Sequence, residues 1–325
     1  MIPKNKMSKN IKLLLVSIIL SMFFGFGINI FEKNAEDFFY TMQLEKTPIL
    51  YADISFSSLL EKHLNEYEKT HTLDISAKSA ISIFVDPQGK NNVVFKKNEN
   101  QKLPIASLTK LMTALVVSDI YQISDTIKIS KQAIEQEGNE VELKVGEKLS
   151  INELLHIMLI ESSNDAAYAL ATPDFKTQKM PEKSFVDLMN LYTYYTLGLS
   201  LENTHFINST GLDPEKPFED INHSTVKDLA KLAQYLLQNK PGIIDIISQK
   251  ENTSFHYMLE NTNKLLGGVD GIIGGKTGYT DEAGECLILI LKGPDKNSYF
   301  INIILGSNDR FGEMEKIINW DKQIF

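Results

Sequence analysis

The sequence predicts a mixed α/β protein of the α+β kind: an antiparallel sheet flanked by helices, with an inserted all-helical subdomain. Three observations point there. The apolar run Ala80-Ile81-Ser82-Ile83-Phe84-Val85 is followed by a stretch dense in turn formers and then by Val93-Val94-Phe95, which reads as a β-hairpin. The middle of the chain carries apolar residues at helical spacing in several separate stretches. The carboxyl-terminal third returns to strands. Residues 287–291 and 299–305 are apolar runs joined by Lys292-Gly293-Pro294-Asp295-Lys296-Asn297, a turn short enough to make the pair antiparallel.

Composition narrows the class. With 325 residues the chain is long enough for a sizeable core, and 43 % apolar and 23 % charged residues are ordinary for a globular protein. A formal net charge of -9 argues against nucleic acid as a partner, because phosphate binding needs a basic surface. The lone Cys286 sits in an apolar run and reads as a buried small hydrophobe that cannot form an internal disulfide. The six histidines lack metal-ligand spacing, so no metal and no cofactor is expected.

The amino end is distinct. Lys4, Lys6, Lys9 and Lys12 precede a nearly unbroken apolar run over residues 13–30. As a helix this run would span roughly 27 Å, close to a bilayer core. Lysines on its amino side predict that this end stays in the cytoplasm and the remainder is exported. A cleaved signal segment and an uncleaved membrane anchor both fit. No Ala-x-Ala site follows the run, which favours the anchor. The expected organisation is an anchor or signal segment over 1–31, a connector over 32–77 with a short amphipathic helix around 57–67, and a large unit over 78–325.

In the large unit, Ser107 precedes apolar positions at helical spacing, which places it at or near a helix start. Lys110 lies three residues on, so hydroxyl and amine can share one face as nucleophile and base. Ser-x-x-Lys also occurs on helix surfaces with both residues merely solvated or capping. Ser150-Ile151-Asn152-Glu153 matches a capping box for a helix with Leu154, Leu155, Met158 and Leu159 on its buried side. That helix ends in Glu161-Ser162-Ser163-Asn164-Asp165, residues that favour caps and turns, before a second helix restarts at Ala166. Such a break is either a plain helix–helix turn or the wall of a cleft. Further helices are expected over 185–197, after Ser224-Thr225, and over 313–320. Gly274-Gly275-Lys276-Thr277-Gly278-Tyr279-Thr280 is glycine-rich, so backbone there can approach a ligand closely.

Ser107-x-x-Lys110, Ser162-x-Asn164 and Lys276-Thr277-Gly278, in that order, resemble the motif set of the serine penicillin-recognising enzymes. The wider segments 104–114, 160–167, 206–213 and 270–280 are similar to the low-molecular-mass D-alanyl-D-alanine carboxypeptidases. The resemblance covers about residues 78–320 and implies a β-lactamase/transpeptidase-like fold with the active site between sheet and helical subdomain. It implies a serine peptidase acting on peptidoglycan stem peptides, with β-lactams as inhibitors. Ser107 would be the nucleophile and Lys110 the base. Ser162 would relay a proton, and Asn164 would orient Lys110 or the substrate amide. Lys276, Thr277, Gly278 and Tyr279 would line the substrate site, the amides of Ser107 and Tyr279 serving as oxyanion donors. Arg310 would help hold the terminal carboxylate, as its fork suits, or be a surface charge at a helix end. Gly274-Gly275 departs from the commoner Gly-x-Lys-Thr-Gly pattern and leaves the local strand register open. Three other readings share part of this pattern: a D,D-endopeptidase of cross-links, a class A-like β-lactamase and a non-catalytic penicillin-binding sensor. The β-lactamase reading lacks the expected Glu-x-x-Leu-Asn between Asn164 and Lys276.

Overall fold

Strand-forming sequence at both ends of the large unit builds one sheet. In the computed structural model, which describes residues 58–64, 66–67 and 71–325 apart from 139–140, 176–177 and 215–219, the strands are β1 (Ser79–Val85), β2 (Asn91–Lys97), β3 (Ile272–Thr280), β4 (Gly284–Lys292) and β5 (Tyr299–Ser307). Their order is β3-β4-β5-β1-β2, antiparallel throughout. Both expected hairpins are present, and the β5–β1 pairing, Ser79 opposite Leu305 through Val85 opposite Tyr299, welds them together.

Side-chain alternation explains why the central strands read as unbroken apolar runs. Ile81, Ile83, Ile288, Ile290, Ile301 and Ile303 face the larger core. Ala80, Leu287, Leu289, Leu291 and Ile304 face a smaller core closed by Met314, Ile317 and Ile318. Both sheet faces are covered, so both sets of alternate positions must be apolar. The smaller core lies under α7 (Arg310–Ile324). That helix is tied to the sheet by Asp321, which accepts from Ser82 Oγ at 2.7 Å and from Asn302 Nδ2 at 2.7 Å.

The chain between β2 and β3 forms the helical part. A short 3-10 turn, Ala106–Leu108, feeds α1 (Thr109–Ile120), which is buried at every position from Thr109 to Val117 and forms the centre of the larger core. The Ser150 capping box is formed and starts α2 (Ile151–Ile160). Ser163 caps α3 (Asn164–Ala171) by accepting from Ala166 N at 3.2 Å. α4 (Glu182–Leu191) continues into a π-helical turn, Tyr192–Thr196, and Thr225 caps α5 (Val226–Asn239).

Two further features complete this part. Pro241 ends α5 and also opens a further helix, α6 (Pro241–Ile247), in the first-turn position where proline lacks no needed donor. Ahead of α2 lies a two-stranded pair, Thr126–Lys128 with Lys148–Ser150. The chain divides after Thr70 into two units, and in the earlier one residues 58–64 are helical, within the stretch where a short amphipathic helix is expected. The expected membrane segment lies outside the described residues.

Candidate active site

Ser107 lies in the 3-10 turn that opens α1, one residue after Ala106, whose φ of 47° is in the left-handed region. A non-glycine residue there costs about 1–2 kcal/mol, and the surrounding packing holds it. Lys110, the second residue of α1, is fully buried. Its Nζ contacts Ser107 Oγ at 2.7 Å, Asn164 Oδ1 at 2.6 Å and the Thr210 carbonyl at 2.7 Å. Burial, and then the facing Lys276, hold the Lys110 ammonium well below the ordinary lysine range.

The polar break between α2 and α3 supplies the second wall. Ser162 has a φ of 62° and links the two helices at the strained corner. Asn164, the first residue of α3, is buried; its Oδ1 meets Lys110 and its Nδ2 donates to the Glu137 carbonyl at 2.6 Å. With both ends of the amide engaged, the oxygen is directed at Lys110.

The third wall is the edge strand β3. The strand-register question resolves through a shift between Ile272 and Gly274, after which Lys276 pairs with Ile288, Thr277 with Leu287 and Gly278 with Cys286. Lys276 Nζ donates to Ser162 Oγ at 2.8 Å and to the Thr277 carbonyl at 3.0 Å. Burial first, then the Arg310 cation, push Lys276 down to about 7. Thr277 Oγ1 lies 2.6 Å from Thr262 Oγ1, and Tyr279 is 57 % exposed with its hydroxyl donating to Asp281 at 3.1 Å. A Cβ at Gly278 would stand 3.1 Å from both Ser107 N and the Ile105 carbonyl, so glycine lets the strand and the Ser107 turn come together. Arg310 Nη1 donates to the Gly278 carbonyl at 2.7 Å and Nη2 meets Glu285 at 3.3 Å.

The structure thus draws Ser107, Lys110, Ser162, Asn164, Lys276, Thr277 and Gly278 around one small volume, with Tyr279 at its mouth and Arg310 behind the strand. The segment 206–213 carries part of the resemblance, but sequence reasoning gave its residues no role at the site. Its Thr210 carbonyl is a direct partner of Lys110, and Asp213 accepts from Thr280 Oγ1 at 2.7 Å. The loop's Gly211 has φ 87°, and a Cβ there would stand 2.0 Å from the Ala106 carbonyl. An open groove of about 720 Å³ leads away past Tyr279, Asp213 and Glu137.

A serine and a lysine on one helix turn, a second serine bridging to a second lysine, and an edge strand beside them define the class of serine–lysine acyl-transfer folds. Within that class, the chain belongs to the peptidase S11 family, D-alanyl-D-alanine carboxypeptidase, whose pattern matches residues 66–309. The D-alanyl-D-alanine carboxypeptidase DacF of Bacillus subtilis (strain 168) is 33 % identical over 266 residues, 78 % of this chain and 64 % of that protein. DacC of Escherichia coli (strain K12), also a D-alanyl-D-alanine carboxypeptidase, is 34 % identical over 251 residues, 72 % of this chain and 58 % of that protein. Penicillin-binding protein D2 from Listeria monocytogenes, in its cefotaxime-bound form, superposes with a TM-score of 0.66 at 28 % identity, covering 78 % of this chain and 99 % of that one. The chain spans less than two thirds of the length of these two curated relatives.

Proposed function

We propose that this protein is a serine-type D-alanyl-D-alanine carboxypeptidase that cuts the terminal D-alanine from peptidoglycan stem peptides through an acyl-enzyme on Ser107. The observation that carries this reading is the set of three contacts at Lys110 Nζ. A neutral amine has two hydrogens and one lone pair. Asn164 Oδ1 and the Thr210 carbonyl accept only, so they take the two hydrogens. The lone pair is then left facing the Ser107 hydroxyl, the orientation a general base needs.

In this reading Ser107 Oγ attacks the carbonyl carbon between the two D-alanines while its proton passes to Lys110. The backbone amides of Ser107 and Tyr279 stabilise the oxyanion as it develops. Ser162, held by Lys276, passes a proton to the departing amine, and the C–N bond breaks. Water then hydrolyses the Ser107 ester and frees the shortened peptide. Lys276, Thr277 and Arg310 draw in the substrate's terminal carboxylate. A β-lactam is attacked in the same way and leaves a slowly hydrolysed ester. The apolar run over 13–30 and the lysines before it support tethering to the cytoplasmic membrane, with the active site outside the cytoplasm.

Labelling of the full chain with a fluorescent penicillin, followed by peptide mapping, tests the reading. The expected adduct lies on Ser107, is absent from Ser107→Ala, and accompanies release of D-alanine from a stem pentapeptide. An intact chain that takes no adduct on Ser107 overturns it, and preferential cutting of cross-linked over uncross-linked muropeptides would favour the endopeptidase reading.

A further inference from the structure

The Thr210 carbonyl is a backbone atom, so its position at Lys110 depends on what holds the loop over residues 207–211. Two ties reach α1, one directly and one through Asn222. Thr113 Oγ1 donates to the Ser209 carbonyl at 2.7 Å. Asn222 accepts from Ile207 N at 2.7 Å and Asn208 N at 3.1 Å, and its Nδ2 donates to Thr109 Oγ1 at 3.0 Å. The loop is therefore clasped to the residues one before and three after Lys110. A different element supplies one further side-chain tie. Glu182, the first residue of α4, accepts from both Ser209 N at 3.0 Å and Ser209 Oγ at 2.7 Å.

We propose that Glu182 is a positioning residue for the acylation base: by gripping Ser209 it fixes the adjoining Thr210 carbonyl against Lys110 Nζ and so aims the Lys110 lone pair at Ser107. The inference rests on the carboxypeptidase reading. An acid in the first turn of a helix also favours the helix dipole, which by itself would make Glu182 a stabiliser of α4 only. Two points speak for the positioning role. Both Ser209 donors converge on the same Glu182 oxygen. The residue they hold, Ser209, directly precedes the one whose carbonyl faces Lys110, and small displacements of such groups cost rate steeply. The ionisable groups facing these two side chains are Tyr168 of α3 against Glu182, and Lys276 of β3 against Lys110.

The test is the rate of Ser107 acylation by a fluorescent penicillin across pH, with the labelled fraction at saturation measured in parallel on the full chain. In Glu182→Ala the rate constant is expected to fall about tenfold. Its acid limb should move to lower pH, because the ammonium form loses more than the neutral form when the carbonyl drifts away. The saturating labelled fraction should match the parent. Glu182→Gln keeps the accepting oxygen and should stay within about twofold of the parent rate. A helix stabiliser alone would lower the labelled fraction and leave the limb in place, which overturns the inference, as does parental behaviour of Glu182→Ala. If Glu182→Ala does not fold, Ser209→Ala removes the hydroxyl contact alone. It should shift rate and limb the same way by less, and no shift overturns the inference. An unlabelled parent chain overturns the acylation reading itself; a labelled parent with an unmoved Glu182→Ala overturns the inference only.

Discussion

The helical wall and the sheet wall of the cleft each contribute one buried lysine, and the two are not equivalent. Lys110, on the helical wall, is surrounded by three oxygens from three different segments, two of them incapable of donating. Lys276, on the sheet wall, meets a hydroxyl and the carbonyl of the next residue, with Arg310 as the neighbouring cation. The first environment orients a lone pair. The second keeps a donor beside Ser162, within the positive field of Arg310. Burial lowers both, so desolvation alone does not assign the roles; the partners do.

Three substitutions sharpen or break this contrast. The largest effect is expected from Lys110→Ala, which removes the proposed base: acylation by penicillin should fall on the order of 10³–10⁴-fold. Acylation within tenfold of the parent would place the base elsewhere. Lys276→Ala should cost less in rate, about 10²-fold, as loss of one electrostatic contact does. Its more telling outcome is in the pH profile. Lys276 pushes Lys110 down, so removing it should let Lys110 rise and move the acid limb of acylation to higher pH. A limb that stays put would mean that the two cations do not communicate.

The smallest effect on activity is expected far from the cleft, at Asp321, and it appears in stability. Burial raises this carboxyl from 3.8 to about 7 against the opposing pull of Ser82 and Asn302. The folded protein therefore keeps a proton that the unfolded chain releases across that window, and stability falls as pH rises through it. Asp321→Asn should abolish that slope. Its melting temperature should exceed the parent's by a margin that grows from acidic to mildly alkaline pH, with acylation nearly unchanged. A margin independent of pH would show that Asp321 does not titrate there.

The legible part of the site is the part whose chemistry sits on side chains close together in the chain. Ser107 and Lys110 share a helix turn, Ser162 and Asn164 share a break marked by capping residues, and Lys276 to Gly278 share a strand. Helix starts were legible for the same reason, since Ser150 and Glu153 announce their own reciprocal bonds. The Thr210 carbonyl was not, because every residue type carries that atom and only the fold selects which one is used. Nor was Glu182, whose partner Ser209 lies 27 residues on. Asp321 lies just past the helix expected over 313–320, and its burial follows from the sheet that helix covers. The β1–β5 junction pairs two apolar runs that would each fit several neighbours.

That junction also sets an order of events for the growing polypeptide. β1 is among the first parts of the large unit to be made, yet its partner β5 follows more than 200 residues later. Contacts so far apart along a chain close late. The Ser107–Lys110 pair can therefore exist in a nascent helix, but the strand bearing Lys276 joins only once its own partner β4 and then β5 are in place. An intermediate without the finished sheet would hold Ser107 and Lys110 without Lys276, so the three walls of the cleft come together only when the sheet is complete.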